Sequence, residues 1–435
     1  MIISDILKVI YAPHKVFKDI VANPKYLGAI LVLVLFIGLS IGYEYSQFSK
    51  TYTEQTIPTI DQLGTFTNAT ALGSDNTTLW RSSSNVALTN NFGDYFNYSV
   101  YVAGFGLAPT DPNAYYKLFG NSSLQMSANN TNSIAAALTN TTNVNCGTDG
   151  FQNITVILKQ VQPQEAPQKA TLTLYSLGDT NYFQYDLTPS LSITSTIGQW
   201  NNLTITLGPN ATGWVSSGAP AWSNITSLTL AFTYPTSSNI TIEVGGLFFH
   251  GLYQTPIQYN STGILLQFLQ LFSLQFIFSW FILTGLIYVL CRYLMKDAVL
   301  WKPLFTAIGF AMMVMVVRAL VNLAASLTLP TVYYPFDLSL GVRFDPYAAL
   351  YFPPEALGSL PAISHTIFNN IDAVTLPFRT IVSGMFLVSY VWLGAVGSMV
   401  IGALKPEFSM MKRIALSAIS LVIVVVLLIF LVGSV

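Results

Sequence analysis

Residues 201 to 214 read NNLTITLGPNATGW, and their reading separates the two halves of this chain. Leu203, Ile205 and Leu207 alternate with Thr204 and Thr206, the period-two pattern of a strand with one face buried. Parity places Asn202 on the solvent face beside Thr204, with Leu203 between them on the core face. Asn202-Leu-Thr and Asn210-Ala-Thr are both sugar-acceptor triplets, so the strand and the turn after it present two asparagines for modification.

Twelve such N-x-S/T triplets occur, at Asn68, Asn76, Asn97, Asn121, Asn129, Asn140, Asn153, Asn202, Asn210, Asn224, Asn239 and Asn260. A single triplet in a region rich in Thr, Asn and Ser carries little weight. Their confinement to residues 68–260 carries more. It predicts that this block, and not its flanks, meets a glycosylation machinery outside the cytoplasm and bears N-linked glycans.

The flanks say what holds the block there. The chain is 52% hydrophobic and 9% charged, against roughly 25% charged in an ordinary soluble domain. Apolar stretches long enough to cross about 30 Å of hydrocarbon lie near 27–43, 263–291, 303–328, 376–402 and 414–432. The first follows Lys8, Lys15, Lys18 and Lys25, as a signal-anchor or a cleaved signal peptide would. No small-x-small site follows it and Tyr43 and Tyr45 suit an interfacial belt, so a retained helix is expected.

With the N-terminus inside, the cytoplasmic pieces are 1–26, 292–302 and 403–413, which hold 10 of the 18 basic residues in 48 of 435 positions. The acceptor block then lies outside, and so does the C-terminus. The expected organisation is a cytoplasmic amphipathic segment (1–26), a transmembrane helix (27–46), an extracellular domain (50–262), and helices two to five (263–435) with an extracellular loop at 329–375. The fold class is therefore a five-span membrane helical bundle carrying an extracellular all-β sandwich between spans one and two.

Strand patterning supports the sandwich. Apolar alternation recurs at Ile154, Val156 and Leu158, at Leu172 and Leu174, at Leu228, Leu230 and Phe232, and at Ile240, Ile242 and Val244. Gly208-Pro-Asn and Pro235-Thr-Ser-Ser read as turns between the runs, and the spacing suits an antiparallel sandwich. Between 51 and 260 there are ten acidic and four basic residues, so hydroxyls and amides carry the polarity. Such a surface suits a mucin-like coat or an acidophile's exposed domain, whose stability would change little as carboxylates protonate. Cys146 lies in the outer block and Cys291 at the inner end of the second span, so the two do not pair, and Cys146 reads as a buried thiol.

The opening APHKVFKDIVANPKYLG (12–28), the five-helix layout and the closing VWLGAVGSMVIGALKPEFSMMKRIALSAI (391–419) resemble the Yip1 family of five-span membrane proteins, especially archaeal members with an inserted ectodomain. The stretch from GNSSLQMSA (120–128) through 200–235 to NITIEVGGLFFHG (239–251) is similar to jelly-roll modules of the galactose-binding, carbohydrate-binding type. That second resemblance implies glycan contacts at Trp200, Trp214 and Trp222, residues which otherwise read as core aromatics at strand ends.

Chemistry is sparse. His14, His250 and His365 sit in different segments without metal-ligand spacing, and the phosphate-loop, dinucleotide, nucleophile-elbow and zinc-helix motifs are missing from the sequence. No catalytic residue, metal or cofactor is expected. The basic residues sit at the inner membrane surface, so no nucleic-acid partner is expected either. In the membrane, Arg318, Asn322 and Ser326 repeat at i, i+4 and i+8 on the third span, and Arg379 opens the fourth at similar depth. A guanidinium in hydrocarbon costs at least about 2.5 kcal/mol. The arginines therefore snorkel to outer phosphates or pair with loop acids such as Glu355 or Asp372, or else they form an anion or lipid-headgroup pocket, with Arg318 pointing into the bundle. Gln267, Gln270 and Gln275 on the second span, and Gly38 and Gly42 on the first, read as helix contacts. The opening helix, with Val16, Phe17, Ile20 and Val21 opposite Lys15 and Lys18, reads as lying on the inner leaflet.

The functional expectation is a non-enzymatic glycoprotein of the cell envelope. A Yip1-like anchor would display a glycan- or protein-binding sandwich, with membrane lipid and surface-layer or other membrane proteins as partners. The rival expectation is an accessory subunit or transporter-like component acting through the bundle.

Overall fold

The computed structural model describes residues 2–57, 80–94, 96, 99–101, 115–117, 123–138, 143–176, 178–192, 197–294, 299–339 and 362–432. In chain order its strands are β1 (Thr51–Ile57), β2 (Trp80–Ser82), β3 (Ala87–Asn91), β4 (Ser99–Tyr101), β5 (Tyr115–Lys117), β6 (Ser123–Leu138), β7 (Asn153–Gln162), β8 (Lys169–Ser176), β9 (Tyr182–Asp186), β10 (Asn201–Thr206), β11 (Trp214–Ser217), β12 (Ile225–Gln254) and β13 (Val332–Tyr334). All but β4 and β5, which pair with each other, belong to one hydrogen-bonded system.

Two strands organise that system. β6 and β12 are 16 and 30 residues long, well beyond the usual five or six, and run antiparallel to each other from Leu228↔Leu138 to Val244↔Leu124. Midway both turn a corner: Asn130 takes φ +49°, and the register shifts between Thr233 and Ser238 before pairing resumes at Ser238↔Thr131. The corner folds the sheet onto itself. On one side β2, β6, β12, β8, β9 and β11 pair, and on the other β3, β6, β12, β7 and β10. Ala170, Leu172 and Leu174 from the first half and Ile154, Val156 and Leu158 from the second meet in one buried core with Leu228, Leu230, Phe232, Ile240, Ile242 and Val244. The alternating runs are thus core-facing as expected. Pro235-Thr-Ser-Ser, however, is a bulge inside a continuous strand and not a turn, because β6 bends in step with it and a proline without an N–H is tolerated at a bulge.

Among the described residues, five helices are long and apolar enough to span a membrane: Tyr26–Phe48, Pro256–Tyr293, Trp301–Ser326, His365–Leu404 and Met410–Leu427, called spans 1 to 5. Span 2 starts earlier than its hydrophobic run, because Thr255 and Gln258 close a reciprocal capping box around Pro256. Asn260 thereby falls inside the helix, at a kink with φ −149° and ψ 50°.

The tightest helix contact joins spans 1, 2 and 3. A Cβ on Gly28 would stand 1.9 Å from the Phe310 ring, and one on Gly309 would stand 2.5 Å from Ala29 Cβ and 2.6 Å from the Trp280 ring. Gly38 has nothing within 4 Å and Gly42 touches only Leu323, so the pair expected to mark a close crossing does not. Gln267 and Gln270 face outward and only Gln275 is half-buried, so the first two are not contacts within the bundle either. The leading helices Ile2–Tyr11 and Pro13–Ala22 also depart from expectation: Val16, Phe17 and Ile20 are buried within the helical core itself, against the bundle and not against lipid.

Sandwich and bundle join through connections of at most a few residues. Span 1 ends at Phe48 and β1 begins at Thr51; β12 ends at Gln254 and span 2 begins at Pro256; span 3 ends at Ser326 and β13 begins at Val332. β1 pairs antiparallel with β12 and parallel with β13, so the ends of three spans feed one three-stranded ribbon. Lys50 Nζ closes the joint by donating to the carbonyls of Ser326 (3.2 Å), Leu327 (2.7 Å) and Leu329 (2.8 Å), at and just beyond the C-terminal end of span 3.

Candidate functional site

The first half-sheet has an outer face opposite the core. Strand parity puts Thr171, Thr173 and Tyr175 of β8 there, cross-strand from Asp186, Gln184 and Tyr182 of β9 and from Ala231, Thr229 and Ser227 of β12. Small residues floor the face. At one end Tyr175 and Tyr182 meet edge-to-face with centroids 5.8 Å apart, and in the middle Gln184 Nε2 donates to Thr173 Oγ1 at 3.2 Å. At the other end Gln168, Lys169, Asp186, Thr188 and Thr233 line a pocket, where Asp186 Oδ1 accepts from the Thr188 N–H at 2.9 Å. Thr171 and Thr173 are buried, at 6% and 5% exposure, so the groups left to meet a polyhydroxylated ligand are the aromatic edge, Gln184 and the pocket with one cation and one carboxylate. The outward Thr171-x-Thr173-x-Tyr175 register was legible once Leu172 and Leu174 were read as core, but the cross-strand partners Gln184 and Asp186 came only with the pairing.

The three tryptophans lie elsewhere, all half-buried. Trp222 stacks on Phe183 at 3.8 Å and meets Trp214 edge-on at 5.3 Å. Trp214 leans on Tyr185 and donates Nε1 to the Thr206 carbonyl at 2.8 Å, so both rings pack against the sandwich core. Trp200 covers Gly245 on the outer face of the second half-sheet and donates Nε1 to Asp94 Oδ1 at 3.2 Å. Beneath it Lys159 pairs with Asp94, lies 5.7 Å from the Trp200 ring centroid and stands 3.8 Å from Glu243 Oε2. Glu243, 2% exposed, also accepts from Asn91 Nδ2 at 2.6 Å. These charged groups are tied to one another and to Asn91 and Trp200, so the domain's polarity does not rest on hydroxyls and amides alone.

Nearer the bundle, Glu54 is buried at 5% exposure. Its Oε1 accepts from His250 Nδ1 (2.9 Å) and from the Gly251 N–H (2.8 Å), and its Oε2 accepts from the Phe336 N–H (2.9 Å). His250 Nε2 lies 3.0 Å from Thr155 Oγ1, which in turn shares a hydrogen bond with Thr204 Oγ1 at 3.0 Å. One carboxylate thus ties β1, β12 and the segment after span 3 together. Sequence reading missed it because Glu54 and Phe336 are 282 residues apart.

The membrane arginines part company. Arg379 Nη2 donates to both the carbonyl and the carboxylate of Asp372, so it is neutralised within span 4. Arg318 turns toward span 4 instead, its guanidinium carbon 5.1 Å from the Phe386 ring centroid and 5.9 Å from that of Tyr390. Asn322 is buried on the same helix face, one turn on. Glu355 lies outside the described residues.

Of the acceptor asparagines, Asn68, Asn76, Asn97, Asn121 and Asn140 lie outside the described residues. Asn129, Asn202, Asn210, Asn239 and Asn260 are exposed, and Asn224 is half-buried. Asn153 is hemmed in: its amide nitrogen would lie 2.7 Å from a Cβ on Gly251, and the hydroxyl of its Thr155 is inside the Glu54–His250 chain. Cys146 is fully buried, and that burial pushes its thiol up to about 12.

Fold and site define a membrane protein that carries a large antiparallel β-sandwich on one end of a helical bundle. No family model matches the chain. No curated protein matches it either. Among solved structures it is similar to a family 11 carbohydrate-binding module from Clostridium thermocellum in complex with a β-1,3-1,4-mixed-linked tetrasaccharide (TM-score 0.23, 11% identity, 39% of this chain and 88% of that one). It is also similar to TmCBM61 in complex with β-1,4-galactotriose (TM-score 0.22, 12% identity, 43% and 94%). A third is the arabinose-bound α-L-arabinofuranosidase MgGH51 (TM-score 0.25, 14% identity), of which this chain spans about a quarter (24%) while 41% of this chain is covered.

Proposed function

We propose that the protein is a non-enzymatic cell-surface glycoprotein whose five-span anchor, Yip1-like in its opening and closing motifs, presents the sandwich for binding glycan or protein in the cell envelope. The observation that carries this reading is the ribbon of β12, β1 and β13, joined to the ends of spans 1 to 3 by connections of at most a few residues. A domain held that rigidly off one membrane face is positioned to meet something beyond it. The basic segments lie at the opposite ends of the helices, which by the positive-inside bias supports an extracellular sandwich.

The ligand face is the Tyr175–Tyr182–Gln184–Asp186 surface, where ring edges and paired hydrogen-bonding groups suit sugar hydroxyls and C–H faces. The test is a glycan array probed with the full-length protein in nanodiscs, because a 50–262 fragment would lose β13 and the Phe336 N–H. Specific retention that Tyr182→Ala and Asp186→Asn each reduce at least tenfold supports the assignment. Absence of any retained glycan, with envelope proteins recovered by cross-linking through the helices, favours the rival reading of an accessory or transporter-like component. The observation that favours that rival is the cluster of polar groups around Arg318.

A further inference from the structure

We infer that the contact between spans 3 and 4 at Arg318 is a binding site for an oxyanion, a phosphate or carboxylate group, independent of what the sandwich binds. Arg318 lies eight residues before the end of span 3, about 12 Å along the helix at 1.5 Å per residue, and a guanidinium at such depth needs a partner. Among the described residues no carboxylate pairs with it, whereas Arg379 has Asp372. The Phe386 and Tyr390 rings stabilise its charge through their faces, and the neutral Tyr390 hydroxyl is its nearest side-chain acceptor.

Three polar groups there are unmet. Arg318 Nη1 is buried without a close acceptor, and the Tyr390 hydroxyl, near enough to the guanidinium for a loose hydrogen bond, has no acceptor for its own proton. Asn322 Oδ1, on a side chain 5% exposed, is also unpaired. Two donors from two helices, one of them cationic, converge on a place where a single anionic oxygen satisfies both. Asn322 Oδ1 is left to accept from a hydroxyl or ammonium on the same molecule. Arg318 itself is half-buried, so the site is reached from the surface of the bundle. The oxyanion can therefore come from a lipid headgroup or from solution.

Native mass spectrometry on the full-length protein in detergent separates these sources, with phosphatidylglycerol, phosphatidylcholine and inorganic phosphate as separate probes. The wild type should retain phosphatidylglycerol or phosphate at least about tenfold better than Arg318→Leu, the scale of a lost charge-assisted hydrogen bond. Arg318→Lys should fall between them and Arg379→Leu should match the wild type. Retention of phosphatidylglycerol over phosphatidylcholine, with phosphate inert, assigns a lipid headgroup; phosphate adducts and phosphate-dependent thermal stabilisation assign a free anion. Equal retention of every probe by wild type and Arg318→Leu overturns the site. Where Arg318→Leu aggregates, Tyr390→Phe keeps ring and charge while removing one donor, and unchanged retention in that variant overturns the site equally.

Discussion

At the scale of single residues, the bundle is set by two glycines that the sequence did not advertise. Gly309 admits Ala29 and Trp280 at distances no Cβ could share, so Gly309→Leu should overpack the crossing and cost about 1–3 kcal/mol or more. Gly38→Ala, with nothing within 4 Å, should be neutral or slightly stabilising through helix propensity. Thermal unfolding of both variants in one detergent checks the contrast, and equal melting temperatures would contradict the packing described. Cys146 offers a second test. Burial holds its thiol near 12 in the folded state against an ordinary value of 9.0. Between those pH values the unfolded chain has given up the proton and the folded chain has not, so this group's contribution to stability falls as pH rises through that window. On a Cys291→Ala background, a thiol reagent at pH 8 should label Cys146 only after denaturation.

At the scale of elements, the joint between helix and strand rests on two charged side chains. Lys50→Met removes three donors from the carbonyls at and just beyond the end of span 3, an expected loss of about 1–3 kcal/mol. Hydrogen exchange should then quicken in β1 and β13 while β7 and β8 stay protected. Glu54→Ala strands His250 Nδ1 and the Gly251 and Phe336 N–H groups at once, so it should destabilise the ribbon by several kcal/mol, about 1–3 for each buried orphan. Glu54→Gln, which keeps one acceptor oxygen, should lose less. Exchange confined to the strands around the corner at Asn130 and Pro235 would instead place the weak point there.

At the scale of the whole molecule, the proposed orientation makes glycan occupancy a map of the fold. Mass spectrometry of the purified protein should find sugar on the exposed Asn129, Asn202, Asn210 and Asn239 and none on Asn153, whose amide lies against Gly251. Occupied Asn153 would mean that modification precedes folding and that the Thr155–His250 contact is lost in the mature protein. Sugar on none of the four would count against an extracellular sandwich.

The sequence by itself determined the five apolar helices, because hydrocarbon thickness dictates span length and charge depletion reveals it without any neighbour. It also determined which residues of β7, β8, β10 and both halves of β12 face the core, because the period of two is local. Strand order, the corner that merges Phe232 and Ile240 into one strand, the pairing of β1 with β13 and the Glu54 tie were decided by contacts between residues distant in sequence, Leu138 with Leu228 across the corner strands and Glu54 with Phe336, 282 positions apart, which no local pattern encodes. The same holds for the sites. Arg318 and Arg379 were both legible as intramembrane cations. That one has a carboxylate and the other only two aromatic rings follows from which helix face meets which, and that is settled only when the helices pack.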